Sequence, residues 1–110
     1  MSQEENTFKL MQAAELAPLL SKNAPVIVDT RDQNSFDIAH ITGAIRLSNE
    51  TVADFLRDAD PDASVVVCCY HGISSQQVAE YLVSQDFTDV SSLEGGFTQW
   101  ELQYPDKVEK

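Results

Sequence analysis

The chain has two cysteines, two histidines and seven basic residues, and each shortage removes a class of protein. Cys68 and Cys69 are neighbours, so they cannot make the spaced pairs of a disulfide framework. Adjacent strand residues also point to opposite faces, which keeps the two thiols from sharing a partner easily. A zinc site would need two further ligands, and His40 and His71 lie at none of the spacings of zinc modules; no metal is expected. Eighteen acidic against seven basic residues give a net charge of −11. That charge repels nucleic acid and anionic membranes, so neither is expected as a partner. No apolar run approaches the ~20 residues of a membrane span. The first residues, MSQEENTFKL, are acidic and polar, so no secretory leader is read and cytoplasm is the expected compartment. With so few cations, a small anion bound here must be attracted largely by backbone amides.

What is present suits one domain over residues 1–110, with an ordered core over 5–104 and loose tails. Strand and helix signals alternate, which predicts an α/β fold: an open parallel sheet of about five strands with helices on both faces. Strands are expected at Phe8–Met11, Pro25–Asp29, Ala44–Leu47, Ser64–Cys68 and Asp89–Ser92. A helix over Gln12–Leu20 is interrupted by Pro18, which makes it short or bent. One helical turn is expected over Asn34–Ala39. Ser48 or Asn49 is the expected cap of a helix carrying Val52, Phe55 and Leu56 on one stripe. Ser74–Gln85 carries Val78, Tyr81 and Leu82 at helical spacing, and Phe97–Leu102 forms a brief amphipathic helix after the Gly95-Gly96 break.

The informative stretch is Val65-Val66-Val67-Cys68-Cys69-Tyr70-His71-Gly72-Ile73-Ser74. A parallel strand delivers Cys69 to the carboxyl edge of the sheet, where open α/β folds place their sites. The next helix aims its unpaired amides and positive dipole end back at the loop. Gly72 permits a positive φ, so the loop can curl into a nest of inward N–H groups. Such a cradle favours a thiolate and lowers a cysteine pKa from its free value of ~8.5. Cys68, last in the valine strand, is read as core; Cys69, at the strand-to-loop switch where burial gives way to access, is read as functional.

Cys69-Tyr70-His71-Gly72-Ile73-Ser74 resembles the active-site loop of the rhodanese family. Val28-Asp29-Thr30-Arg31, then Phe36 with His40-Ile41-x-Gly43-Ala44, and then Glu94-Gly95-Gly96-Phe97-x-x-Trp100 resemble that family's other signatures, in the same order. The resemblance implies a thiosulfate sulfurtransferase without metal or organic cofactor. In that reaction the Cys69 thiolate takes the outer sulfur of thiosulfate as a persulfide and releases sulfite. The amides of Tyr70, His71, Gly72, Ile73 and Ser74 hold the persulfide, and the Ser74 hydroxyl is a further candidate donor. The sulfur then passes to cyanide in an assay, or to a dithiol such as reduced thioredoxin in cells, with ping-pong kinetics.

Several residues keep two readings at this stage. Asp29 and Arg31 are read as a structural ion pair or a loop anchor rather than substrate ligands, and His40 as a hydrogen-bonded structural histidine. His71 either tunes access and proton supply or lies exposed while its backbone N–H works. Ser74 caps the helix, donates to the persulfide, or does both. Phe97 and Trp100 are read as core. A phosphatase-type Cys-x5-Arg loop is disfavoured, because Ser75 stands at the arginine position counted from Cys69. The remaining alternatives are a regulatory rhodanese-like binding module and a persulfide carrier with little thiosulfate turnover.

Overall fold

The computed structural model describes residues 8–110. In chain order the elements are β1 (Lys9–Met11), α1 (Ala13–Leu16), β2 (Val26–Asp29), α2 (Gln33–Ile38), β3 (His40–Ile41), β4 (Ile45–Arg46), α3 (Val52–Asp58), β5 (Ser64–Cys68), α4 (Ser74–Ser84), β6 (Asp89–Leu93), α5 (Gly96–Gln103) and β7 (Val108–Glu109). Five of the strands form a parallel sheet in the order β1-β6-β5-β2-β4. This is the α/β architecture that the alternation of strand and helix signals predicts.

The valines of β5 explain why that strand lies at the centre. Val66 and Cys68 face one core with Ile27, Leu93, Leu16 and Trp100, which α1 and α5 cover. Val65 and Val67 face the other, with Val28, Val90, Ala79 and Leu82, which α4 and α3 cover. A strand buried on both faces needs apolar residues at every position, because alternate side chains enter different cores. Each fully buried valine contributes roughly 1.5–3 kcal/mol relative to exposure, so three in succession anchor the strand that carries Cys69.

The departures from the sequence reading have local causes. α1 ends at Leu16 and continues as a 3-10 turn over Ala17–Ser21, because Pro18 has no N–H to donate into an α-helix. α3 begins only at Val52 without a side-chain cap. Ser48, an expected cap, instead contributes its carbonyl, which accepts the amides of Thr51 and Val52. Tyr81 is 44% exposed and not on the buried stripe, which runs through Ser75, Ala79 and Leu82.

The C-terminal tail is not loose. Pro105–Lys107 form a 3-10 turn, and β7 pairs antiparallel with β3, Ile41 opposite Val108. The Trp100 indole donates to the Lys107 carbonyl at 3.1 Å, and the Gly43 amide to the Glu109 carboxylate at 3.2 Å. Residues 5–7, expected in the ordered core, lie outside the described residues.

Candidate active site

Cys69 follows directly on β5, and its Sγ accepts the amides of Gly72 at 3.1 Å and Ser75 at 3.3 Å. Ser75 stands in the first turn of α4, so one of its amides left free of helix bonding points at sulfur, as does the positive end of the helix. The amides can face inward because the loop carbonyls are held elsewhere. The Cys69 carbonyl accepts the Phe97 amide at 2.8 Å and the Tyr70 carbonyl the Thr98 amide at 3.0 Å, both from the start of α5. The Gly72 carbonyl accepts the Gln76 side-chain amide at 2.9 Å.

Two glycines make this packing possible. Gly72 has φ +86°, and a Cβ there would meet the Gly95 nitrogen and the Leu93 carbonyl oxygen at 2.8 Å. Gly96 has φ +59°, and its missing side chain lets α5 rest directly on the Cys69–Tyr70 peptide. The Gly95-Gly96 pair, read from the sequence as a break, is therefore the seat of the loop.

Cys69 is only 2% exposed, which corrects the expectation that burial gives way to access at this position. The loop and the first turn of α4 pack on its sulfur, and the start of α5 on its carbonyl. Burial alone pushes the Cys69 thiol up. Hydrogen bonding from the Ser74 and Ser75 hydroxyls and from the Ser75 and Gly72 amides outweighs that effect and lowers it to about 7. Cys68 is fully buried, and burial, reinforced by Asp29, pushes its thiol well above the usual range. The two cysteines are both free, and their environments drive them apart. A depressed thiol is charged above its pKa and protonated below it. Reaction of Cys69 with an electrophilic sulfur should thus fall about tenfold per unit as pH drops below 7 and level off above it. A pH series of single-turnover rates measures this, and a midpoint at the free-cysteine value of ~8.5 would contradict the cradle.

Of the residues expected to line the site, Gly72 brings its amide to sulfur, and the Ser74 hydroxyl favours the thiolate. Ser74 does not cap α4: Ile73 holds the cap position, and no side-chain cap bond is made. Tyr70, His71 and Ile73 turn their side chains to solvent. The Tyr70 hydroxyl bonds the Asp32 carboxylate and the Ser35 hydroxyl, tying the loop to α2. That bond, with those from Ser35, lowers the Asp32 carboxyl to about 2. The sequence reading stopped at Ser74 and missed Ser75, whose buried hydroxyl also pairs with that of Ser92 at 2.7 Å. Its signal was its place in the first helical turn, where an amide is free to point back.

Asp29 and Arg31 are both buried and form a two-pronged ion pair: Nε to Oδ1 at 3.0 Å and Nη2 to Oδ2 at 2.8 Å. Nη2 also donates to the Ala39 carbonyl at 2.7 Å, and the guanidinium lies 4.1 Å from the Phe97 ring centroid and 5.7 Å from that of Tyr70. Arg31 thus supports the loop and α5 from behind. His40 holds the Phe36 carbonyl through Nδ1 at 2.7 Å and stacks on the Phe36 ring. Among the described residues, no group of three or more His, Cys, Asp or Glu side chains gathers as metal ligands.

The chain is similar to known proteins in sequence and in fold. The rhodanese-like domain profile matches residues 12–103. The thiosulfate sulfurtransferase GlpE of Pseudoalteromonas translucida (strain TAC 125) is 47% identical over 103 residues, covering 94% of this chain and 98% of that protein. GlpE of Pseudomonas fluorescens (strain SBW25) is 52% identical over 94 residues, 86% of each chain. Among solved structures, a rhodanese-like domain protein from Staphylococcus aureus superposes with a TM-score of 0.74 at 29% identity, over 84% of this chain and 91% of that one. Reduced Bacillus anthracis CoADR-RHD gives a TM-score of 0.81 at 20% identity over 94% of this chain; the match takes up only 18% of that longer protein. With the family profile covering the strand, the loop and both glycine seats, the chain belongs to the rhodanese-like domain family.

Proposed function

We propose that this chain is a single-domain thiosulfate sulfurtransferase with Cys69 as its nucleophile. The observation that carries the reading is the thiolate cradle: the amides of Gly72 and Ser75 donate to Sγ, and among the described residues no basic side chain bonds the sulfur. The Cys69 thiolate attacks the outer sulfur of thiosulfate, the sulfur–sulfur bond of the donor breaks, and sulfite leaves with its electron pair. The persulfide formed at Cys69 keeps a negative charge on its outer sulfur, and the inward amides and the Ser74 hydroxyl stabilise that charge. A thiophilic acceptor, cyanide in an assay, then attacks the outer sulfur and returns Cys69 to the thiolate. The GlpE relatives, named for the same reaction, support the donor.

In cells we assign a dithiol protein such as reduced thioredoxin as an acceptor. The exposed side chains of Tyr70 and Ile73 support this by giving the loop an apolar contact surface. We place the reaction in the cytoplasm, where reducing conditions keep both cysteines free.

Incubation with thiosulfate in the absence of reductant should add one sulfur atom to Cys69, seen by intact-mass and peptide mass spectrometry. Cys69→Ser should take no sulfur, and Cys68→Ala should take it as wild type does. An adduct that persists in Cys69→Ser would sink the assignment.

A further inference from the structure

Ser92 is a hydroxyl in a place suited to apolar side chains. It lies two residues after Val90 in β6 and opposite Val67 of β5, so it shares the face that Val65, Val67, Val90, Ala79 and Leu82 pack into a core. It is fully buried, as is Ser75 in the first turn of α4. The two side-chain oxygens stand 2.7 Å apart. Among the described residues, no other nitrogen or oxygen bonds either hydroxyl. Ser75 thus makes no bond to the His71 carbonyl one turn back, the usual recourse of a serine in a helix. A polar group is costly in such a core unless it is fully hydrogen-bonded, and the pair has one open side, toward Cys69.

Counting protons gives the pair a direction. Each hydroxyl has one proton, and only one of the two can lie between the oxygens. If Ser75 donates to Ser92, the Ser92 proton is left among valines with no acceptor among the described residues. If Ser92 donates to Ser75, the remaining proton belongs to Ser75, whose own amide already reaches the Cys69 sulfur at 3.3 Å. The Ser75 hydroxyl is also one of the groups that hold the Cys69 thiol down. A thiolate is the acceptor that completes this chain, and successive hydrogen bonds of one sense strengthen one another. A protonated Cys69 donates to Ser75 instead, reverses the pair and leaves the Ser92 O–H unsatisfied in the core.

We propose that Ser92 is a positioning residue for sulfur transfer: from the sheet it holds the Ser75 hydroxyl beside Cys69 with its proton toward the sulfur. The inference deepens the reading of Cys69 as the nucleophile and rests on it. Ser92 makes no bond to sulfur itself, and no covalent bond changes in this role; the hydroxyls only keep one orientation while the thiolate attacks its donor. The other titratable groups around the loop are Cys68 on β5, Asp29 at the end of β2 with its partner Arg31, Asp32 bonded to Tyr70, His71 in the loop, and Glu94 just past β6. Among the described residues none of these bonds Sγ, and all of them stay unchanged in the variants that test the proposal.

The test titrates the thiolate absorbance of Cys69, read against Cys69→Ser, in wild type, Ser92→Ala, Ser75→Ala and the double variant. Wild type should show a midpoint at about 7. Ser92→Ala should move it toward the free-cysteine value by about half to one pH unit, the worth of one hydrogen bond. Ser75→Ala should move it as well, and adding Ser92→Ala to that background should move it no further, because no hydroxyl is left to orient. With thiosulfate and cyanide, the kcat/KM of Ser92→Ala should fall about three- to tenfold near pH ~6 and meet wild type above pH ~9, where both thiols are charged. A merely structural serine would give a loss of the same size at every pH, and that result overturns the inference. So does an unmoved midpoint in Ser92→Ala, or a further shift in the double variant. Failure of the underlying reading is distinct: the midpoints move as stated while thiosulfate leaves no sulfur on Cys69, which upholds the positioning and overturns the reaction.

Discussion

Gly96→Ala should reduce sulfur transfer by on the order of a hundredfold while leaving most of the fold in place. A Cβ at this position would sit 2.5 Å from the Cys69 carbonyl oxygen and from the carbon and oxygen of the Tyr70 carbonyl. Ordinary contact needs about 1 Å more, and the neighbours are backbone, which cannot rotate aside as a flexible side chain can. The strain is therefore relieved by moving α5 off the loop. That motion breaks the bonds from Phe97 and Thr98 that hold the loop carbonyls outward. A displacement of about 1 Å at a reacting group is enough to cost two orders of magnitude. The positive φ adds roughly 1–2 kcal/mol of destabilisation for any L side chain. Circular dichroism and the thiosulfate kcat/KM read the two effects separately. Activity within a few-fold of wild type would show that the loop does not depend on this seat.

Asp29→Ala should destabilise the protein by roughly 3–5 kcal/mol, the usual result of stripping one partner from a buried ion pair. Arg31 is buried, and without Asp29 its guanidinium keeps the Ala39 carbonyl but no counter-charge. Burial disfavours the charged form of Arg31, and the hydrogen bonds and charge of Asp29 more than offset it. Small domains have only about 5–15 kcal/mol of stability in total, so the variant should unfold at much lower urea than wild type. The double replacement Asp29→Leu with Arg31→Met should recover much of the loss, because a buried pair exchanged for apolar groups is often neutral. It should not recover activity, since the Tyr70 and Phe97 rings would lose the cation beside them. Urea titrations of the three proteins measure this. A single variant as stable as wild type would remove the pair from the account of the fold.

The central strand and its thiol were legible in the sequence because their cause is local. Three valines before Cys68 admit few structures other than a strand buried on both faces, and Gly72 followed by Ser74 marks a turn into a helix. The Asp29–Arg31 pair was also visible, since two opposite charges two residues apart at a strand end have little else to do. What it supports was not visible, because Ala39, Tyr70 and Phe97 reach it only through the fold. The same holds for β7. Val108 and Glu109 have no pattern of their own and gain strand structure from Ile41 and His40, far away in sequence. Tyr81 misled for the opposite reason. Its helical spacing fits a core stripe, but the stripe is centred on Ala79 and Leu82, and the ring falls on its exposed margin. Gly95-Gly96 shows the limit most clearly: composition identified a break, and only packing reveals that the Cys69 loop rests on it.

The cradle around Cys69 draws on the amides of Gly72 and Ser75, while the side chains of Tyr70, His71 and Ile73 face away from it. Chemistry and recognition are thereby written in different parts of the same short segment. Every residue except proline carries an N–H, so His71 and Ile73 are free to vary in identity over evolutionary time without dismantling the sulfur-handling pocket, whereas Tyr70 is held by its bonds to Asp32 and Ser35. A lineage that acquires a new partner can rewrite the loop's outer vocabulary and inherit its catalytic grammar unchanged.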